Sequence, residues 1–136
     1  MDVEQAVAFI RTNHRAVIAT TRADGKPSLT PVAVAVDGDG KVVVSTRQGA
    51  MKVAHLRRSP YATVLAMGDG FYGEWAQVEG PVEILELPAA MDGLVDYYRR
   101  VAGEHPDWDD YRSAMERERR VLLRLTIERA GPSRSG

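Results

Sequence analysis

Apolar residues recur along this chain with two different periods. Val3, Val7 and Ile10, with Ala6 and Phe9 beside them, have the spacing of one helix face, and Asp2 stands where an N-cap belongs. From Arg15 the period shortens towards two. Arg15–Arg22 and Ser28–Val36 read as strands, joined by a hairpin turn whose signal is Asp24-Gly25. Pro31 has no N–H to give a ladder, so the second strand is expected at an edge or a bulge. Asp37-Gly38-Asp39-Gly40 reads as another turn, and Lys41–Thr46 as a third strand. A helix is expected over Ala50–Arg58, stopped by Pro60, and then a strand over Tyr61–Met67. Glu74–Leu87 has the pattern of one long strand or two short ones, with a bulge at Gly80-Pro81. Pro88 suits the first turn of a helix running to Val101, and Asp107 the N-cap of another ending at Arg117. Arg120–Glu128 is the last strand expected.

The order α-βββ-α-ββ-αα-β predicts a mainly β fold with flanking helices, a small six-stranded antiparallel barrel. Helices do not separate every pair of strands, which argues against a doubly wound nucleotide-binding fold. The 136 residues suit a single domain, expected over 1–129, followed by a polar tail at 130–136.

Composition narrows the function classes. The net charge of −1 excludes a broadly basic nucleic-acid binder. Without cysteine there is no thiol catalysis, disulfide or thiolate metal site. Apolar runs fall short of the roughly 20 residues that span a bilayer, and the acidic N-terminus lacks a signal-peptide core. The expectation is a cytoplasmic protein with neither nucleic acid nor membrane as partner.

Several motifs carry little. Gly68-Asp69-Gly70-Phe71-Tyr72-Gly73 matches G-x-G-x-x-G, but a strand follows it rather than a helix N-terminus, so it reads as a glycine-rich turn. His14, His55 and His105 show no metal-ligand spacing, and no serine sits in a G-x-S-x-G context. Arg57-Arg58 close a helix where its dipole favours cations. Glu79, Glu83 and Glu86 do not pair as glycosidase carboxylates do. The run Ser45-Thr46-Arg47-Gln48-Gly49-Ala50-Met51-Lys52 is more informative. Hydroxyls, cations and free N–H groups at a strand-to-helix junction can hold an anion, or can form an ordinary solvated loop. Lys26 and Lys41 sit at turns, whereas Lys52 lies near a helix start, where the macrodipole does not favour a cation. Trp75 and Gln77 share one strand face, as a ligand wall, a subunit interface or a half-buried surface would.

Three stretches carry a family likeness: RAVIATTRADGKPSLTPVAV at 15–34, VSTRQGAMKVAHLRRSP at 44–60, and YRRVAGEHPDWDDYRSAMERERRVLLRL at 98–125. The chain resembles the pyridoxamine 5'-phosphate oxidase-like proteins, and within them the actinobacterial branch that uses the deazaflavin F420. The third stretch is the most specific to that branch. The resemblance implies an FMN-binding type of split barrel, working as a homodimer with a cofactor cleft at the interface. It implies that Ser45, Thr46 and Lys52 hold the cofactor phosphate. Thr30, Pro31 and Val32 would meet the tricyclic ring through backbone groups, with Trp75 and Gln77 in the ring wall. Relatives often carry a second cation two residues before the lysine; Ala50 stands there, and Arg47 is expected to reach the phosphate instead. The implied activity is hydride transfer between reduced F420 and a small organic acceptor, with no catalytic side chain named and no metal. Two alternatives stand beside it: an FMN-dependent oxidase or reductase in the same cleft, and a non-catalytic F420 carrier or sensor.

Overall fold

The structure, a computed structural model, describes residues 1–132; the rest of the expected tail, 133–136, lies outside the described residues. The elements in chain order are α1 (Val3–Thr12), β1 (Arg15–Thr21), β2 (Pro27–Ala33), β3 (Ala35–Val36), β4 (Val42–Arg47), α2 (Met51–Arg58), β5 (Tyr61–Met67), β6 (Trp75–Leu85), α3 (Met91–Ala102), α4 (Trp108–Arg117), β7 (Arg120–Leu125) and β8 (Arg129–Gly131). Local chemistry sets several ends. Asp2 and Gln5 form a reciprocal capping box on α1, each backbone N–H donating to the other's side chain at 2.8 Å. Asp107 caps α4 by accepting from Asp110 N–H at 3.1 Å.

The strands pair in the order β2-β1-β5-β6-β7-β4-β3, with β8 added on β6. All these pairs are antiparallel. The two ends of this path, β2 and β3, are not hydrogen-bonded to one another; they are consecutive in sequence, joined through Val34. The fold is therefore the expected mainly antiparallel one with flanking helices, and its sheet is an open, split barrel. Pro31 lies on β2, an edge strand, as its missing N–H requires.

Among the described residues eight strands replace the expected six, for two physical reasons. The expected strand 28–36 changes partner midway: Val34 N–H donates to His14 O at 2.8 Å, in the β1–β2 ladder, while Ala35 pairs with Val43 of β4. In addition, part of the expected polar tail is strand, since Arg129–Gly131 pairs with Glu79–Gln77 of β6.

Gly80-Pro81 is not a bulge. The β5–β6 register runs unbroken from Trp75 to Pro81, and from Val82 onward β6 pairs with β7 instead. At that change of partner the Thr126 carbonyl crosses over Gly80, where a side chain could not fit.

The barrel core takes alternate residues from these strands. Ala16 and Ile18, Val42 and Val44, Ala62, Val64 and Ala66, Ala76 and Val78 point inward, and α1 and α2 add Ala6, Ile10, Val53 and Leu56. Each fully buried Val or Leu contributes roughly 1.5–3 kcal/mol. A second cluster lies on the other face of β3, β4 and β7, where Ala35, Val43 and Leu122 meet Leu94, Val95, Tyr111 and Met115 of α3 and α4. Strand β4 is thus covered on both faces, and α3 is held close to the place where β2 and β3 part.

Candidate functional site

The split lies between β2 and β4. In antiparallel ladders alternate residues turn their N–H and C=O groups to the same neighbour. The bonds from Val34 N–H to His14 O and from Arg22 N–H to Lys26 O show that even-numbered residues of β2 serve β1. The odd ones, Pro27, Leu29, Pro31 and Ala33, face the free edge. On β4, Gln48 N–H donates to Arg119 O, so even-numbered residues serve β7 and the odd ones, Ser45 and Arg47, face the split. Asp37 N–H donates to Lys41 O, and Ala35 pairs with Val43. Continued, that register would join Ala33 to Ser45 and Pro31 to Arg47. Neither join forms as a ladder. Tyr97 of α3 donates its hydroxyl to Ala33 O at 2.9 Å, with the Ser45 backbone beside it. Pro31 has no N–H, and Arg47 O is already taken by Ala50 N–H at 3.0 Å.

This geometry refines the expected ring contacts. Of Thr30, Pro31 and Val32, only Pro31 offers a backbone group to the split. Thr30 and Val32 spend theirs on β1 and turn half-buried side chains towards the barrel, opposite Ile18 and Ala16. Pro27, Leu29 and Ala33, not singled out from the sequence, are the other residues of β2 with free-edge groups.

At the strand-to-helix junction the expected anion site is partly assembled. Ser45 and Thr46 point to opposite faces of β4: Ser45 is half-buried on the α3 side, and Thr46 is buried on the barrel side. Arg47 is exposed and bonds Glu118 Oε1 at 3.3 Å. Arg120, its cross-strand partner on β7, bonds the same oxygen through Nη2 at 2.8 Å and Nε at 3.2 Å. Arg120, chiefly, with Arg47 behind it, holds the Glu118 carboxyl below the usual range. Lys52 is half-buried. Its pKa is lowered, first by burial and then by the nearby Arg120, and no carboxylate enters the balance. Among the described residues Lys52 and Arg120 thus form a positive pair with only Glu118 to offset it. A bound phosphate would supply the missing negative charge, so the chemistry of this donor set suits a phosphate-bearing ligand.

Arg120 and Tyr97 escaped the sequence reading. Each lies roughly fifty to seventy residues from the junction it serves, and no local pattern signals either. Burial raises the Tyr97 phenol, with the Ser45 backbone and Arg120 drawing it partly back. Behind it, burial pushes Tyr111 up to about 12.

Trp75 and Gln77 do share one face of β6, the outer one. Cross-strand pairing sets them in two rows over four strands, Ala33–Arg15–Met67–Trp75 and Pro31–Val17–Leu65–Gln77. Three strand spacings put them about 14 Å from β2, too far to wall a ring lying in the split of their own chain. Around them is a hollow of about 600 Å³ lined by Leu65, Met67, Phe71 and Trp75, with Arg15 and Gln77 at its rim. The turn at 68–74 that borders it joins two strands, consistent with reading Gly68–Gly73 as a turn rather than a dinucleotide loop.

Comparison with known proteins agrees with this architecture. The chain is 30% identical over 128 residues to the F420H(2)-dependent biliverdin reductase of Mycobacterium tuberculosis, covering 93% of this chain and 84% of that protein. The crystal structure of conserved hypothetical protein Rv2991 from the same species superposes with a TM-score of 0.78 at 26% identity, covering 100% of this chain and 92% of that one. A structure titled F420 Reductase superposes with a TM-score of 0.68 at 20% identity, covering 91% and 94%, and shares the fold. The sequence model of one family spans residues 3–133, almost the whole chain. The chain therefore belongs to the pyridoxamine 5'-phosphate oxidase family.

Proposed function

We propose that this protein is an F420-dependent reductase acting on a small organic acceptor, a cytoplasmic homodimer with its cofactor held where two chains meet. The observation that carries the reading is the Lys52–Arg120 pair, a half-buried concentration of positive charge beside an open split between strands. The named activity of the 30% identical relative gives the cofactor its identity in this proposal.

When bound, the deazaflavin supplies the hydride chemistry. The chain's own residues bind and orient. Lys52 and Arg120 hold the phosphate, with Arg47 able to join by exchanging its exposed contact to Glu118 for a second anion. The Ser45 hydroxyl lies half-buried on the α3 side of β4, whereas buried Thr46 supports the junction from inside the barrel. Backbone groups of Leu29, Pro31 and Ala33 orient the ring along β2. Trp75 and Gln77, out of reach within one chain, supply the ring wall from a second copy.

Titration of the purified protein with F420, and in parallel with FMN, tests this by fluorescence quenching. Micromolar or tighter F420 binding, weaker FMN binding, and oxidation of the reduced cofactor by biliverdin, activated alkenes, nitro compounds or quinones are the expected results. Tighter FMN binding would move the protein to the flavin-using side of the family. F420 binding without turnover across the panel would make it a carrier.

A further inference from the structure

Tyr97 sits where a backbone hydrogen bond should be. The β3–β4 ladder runs through the pairs 37/41 and 35/43, and its next hydrogen-bonded pair would join Ser45 N–H to Ala33 O. The phenol oxygen occupies that place instead. It donates to Ala33 O at 2.9 Å, with the Ser45 backbone close by. A direct ladder holds strands about 4.8 Å apart, and an interposed hydroxyl cannot fit within that spacing. The hydroxyl satisfies the Ala33 carbonyl, which has no ladder partner on β4, while keeping the two strands apart.

We infer that Tyr97 is a positioning residue, a spacer whose hydroxyl sets the width of the split between β2 and β4 and thereby the fit of the ring-bearing cofactor along β2. Helix α3 is well placed to hold such a spacer rigid. Leu94 and Val95 are buried against β3, β4 and β7, and the Tyr111 hydroxyl donates to Leu94 O at 2.8 Å, tying α4 to α3 one turn before Tyr97. Ala33 also heads the outer-face row that ends at Trp75, so the spacer fixes the edge from which that row is built. The spacing role of Tyr97 stands on its hydrogen bond to Ala33 and on the β3–β4 register that stops short of it. The part concerning the cofactor rests on the function proposed above.

The test is Tyr97→Phe, which keeps the ring and removes only the oxygen. Three measurements are made on the full-length protein: the Ser45 amide resonance, the thermal midpoint, and the dissociation constants for F420 and FMN. The Ser45 amide is expected to shift, because its neighbour changes from a phenol to a carbonyl or water. The midpoint should stay within about 5 °C, as one half-exposed hydrogen bond is lost. F420 affinity should fall about tenfold, a separation of binding from stability that a merely structural role would not give. An unmoved Ser45 amide, or an F420 affinity within about twofold of wild type, overturns the spacer. Wild-type protein that does not bind F420 defeats the cofactor assignment alone. The spacer is then decided by the Ser45 resonance and by whether FMN affinity changes with the same substitution.

Discussion

Gly80 lies so close under the carbonyl of Thr126 that a Cβ built on it would fall 1.7 Å from that oxygen. This is the crossing at which β6 leaves β5 for β7. Hydrogen bonds from Thr126 N–H to Pro81 O at 3.0 Å and from Glu128 N–H to Glu79 O at 2.8 Å hold the two backbones there. The obstacle is main chain, so no side-chain rotation relieves it. Gly80→Ala is expected to destabilise the fold by more than about 4 kcal/mol, or to prevent recovery of folded protein. Gly49→Ala, with open space around its Cα, should change stability by less than about 1 kcal/mol. Urea denaturation of both variants decides it. Equal stability of Gly80→Ala and wild type would mean that the crossing is looser than described.

Lys52 separates stability from binding. Its folded pKa is lowered, by burial first and by Arg120 second, from the ordinary lysine value of 10.5. Between the lowered value and 10.5 the unfolded chain holds more protons than the folded one, so this group makes the fold gain stability as pH rises through that window. At neutral pH its charge therefore costs the empty protein stability. Lys52→Met should melt at the same temperature as wild type or higher, with any advantage shrinking as pH approaches 10.5. The same variant should lose F420 affinity by about tenfold or more, because a charge-assisted contact to phosphate is gone. A variant that binds as tightly as wild type would remove Lys52 from the phosphate site.

Asp37 guards the turn that pins β3 to β4. Its carboxylate accepts from Arg124 Nε at 2.8 Å and from the N–H groups of Asp39 and Lys41 at 2.9 and 3.0 Å. Burial pushes its pKa up, but Arg124 and the two N–H groups outweigh that, and the net shift is downward from 3.8. Its stabilisation is thus present above 3.8 and is lost as pH falls through the lower folded value. Asp37→Asn should cost about 1–3 kcal/mol at neutral pH, and the gap to wild type should close in strong acid. Asp39→Asn removes a more exposed contact to the same arginine and should cost no more than about 0.5 kcal/mol. Urea midpoints at neutral and acid pH check both statements.

What could be read from the sequence was local or periodic. Asp24-Gly25 makes its turn with Gly25 at φ 83° and the Asp24 carboxylate accepting from Lys26 N–H, all within three consecutive residues. Period two placed Trp75 and Gln77 on one face, and the missing N–H of Pro31 placed β2 at an edge. The same period puts the neighbours Ser45 and Thr46 on opposite faces, a consequence that the family likeness had masked. Changes of partner were not legible. Val34 and Gly80 each sit inside an unbroken β pattern, and what divides the strand is a ladder to residues far along the chain. Arg120 and Tyr97 were hidden for the same reason, because their meaning comes from the strand and helix packed beside them.

The outer face of β1, β2, β5 and β6 supplies the last prediction. Leu29 is 64% exposed, and Met67 and Trp75 remain just over one-third exposed, so this face offers water an apolar surface of the kind that marks an interface. It also bears the two proposed ring-wall residues that cannot reach the split of their own chain. A two-fold partner using the same face would bring them to it. Light scattering should therefore give twice the 15.0 kDa chain mass. Leu65→Glu, in the middle of the row from Pro31 to Gln77, should give single chains with an unchanged far-ultraviolet spectrum. It should also weaken F420 binding by about tenfold or more, although Lys52 and Arg120 are untouched. If the single-chain variant bound F420 as wild type does, the site would be complete within one chain, and Trp75 and Gln77 would have no part in it.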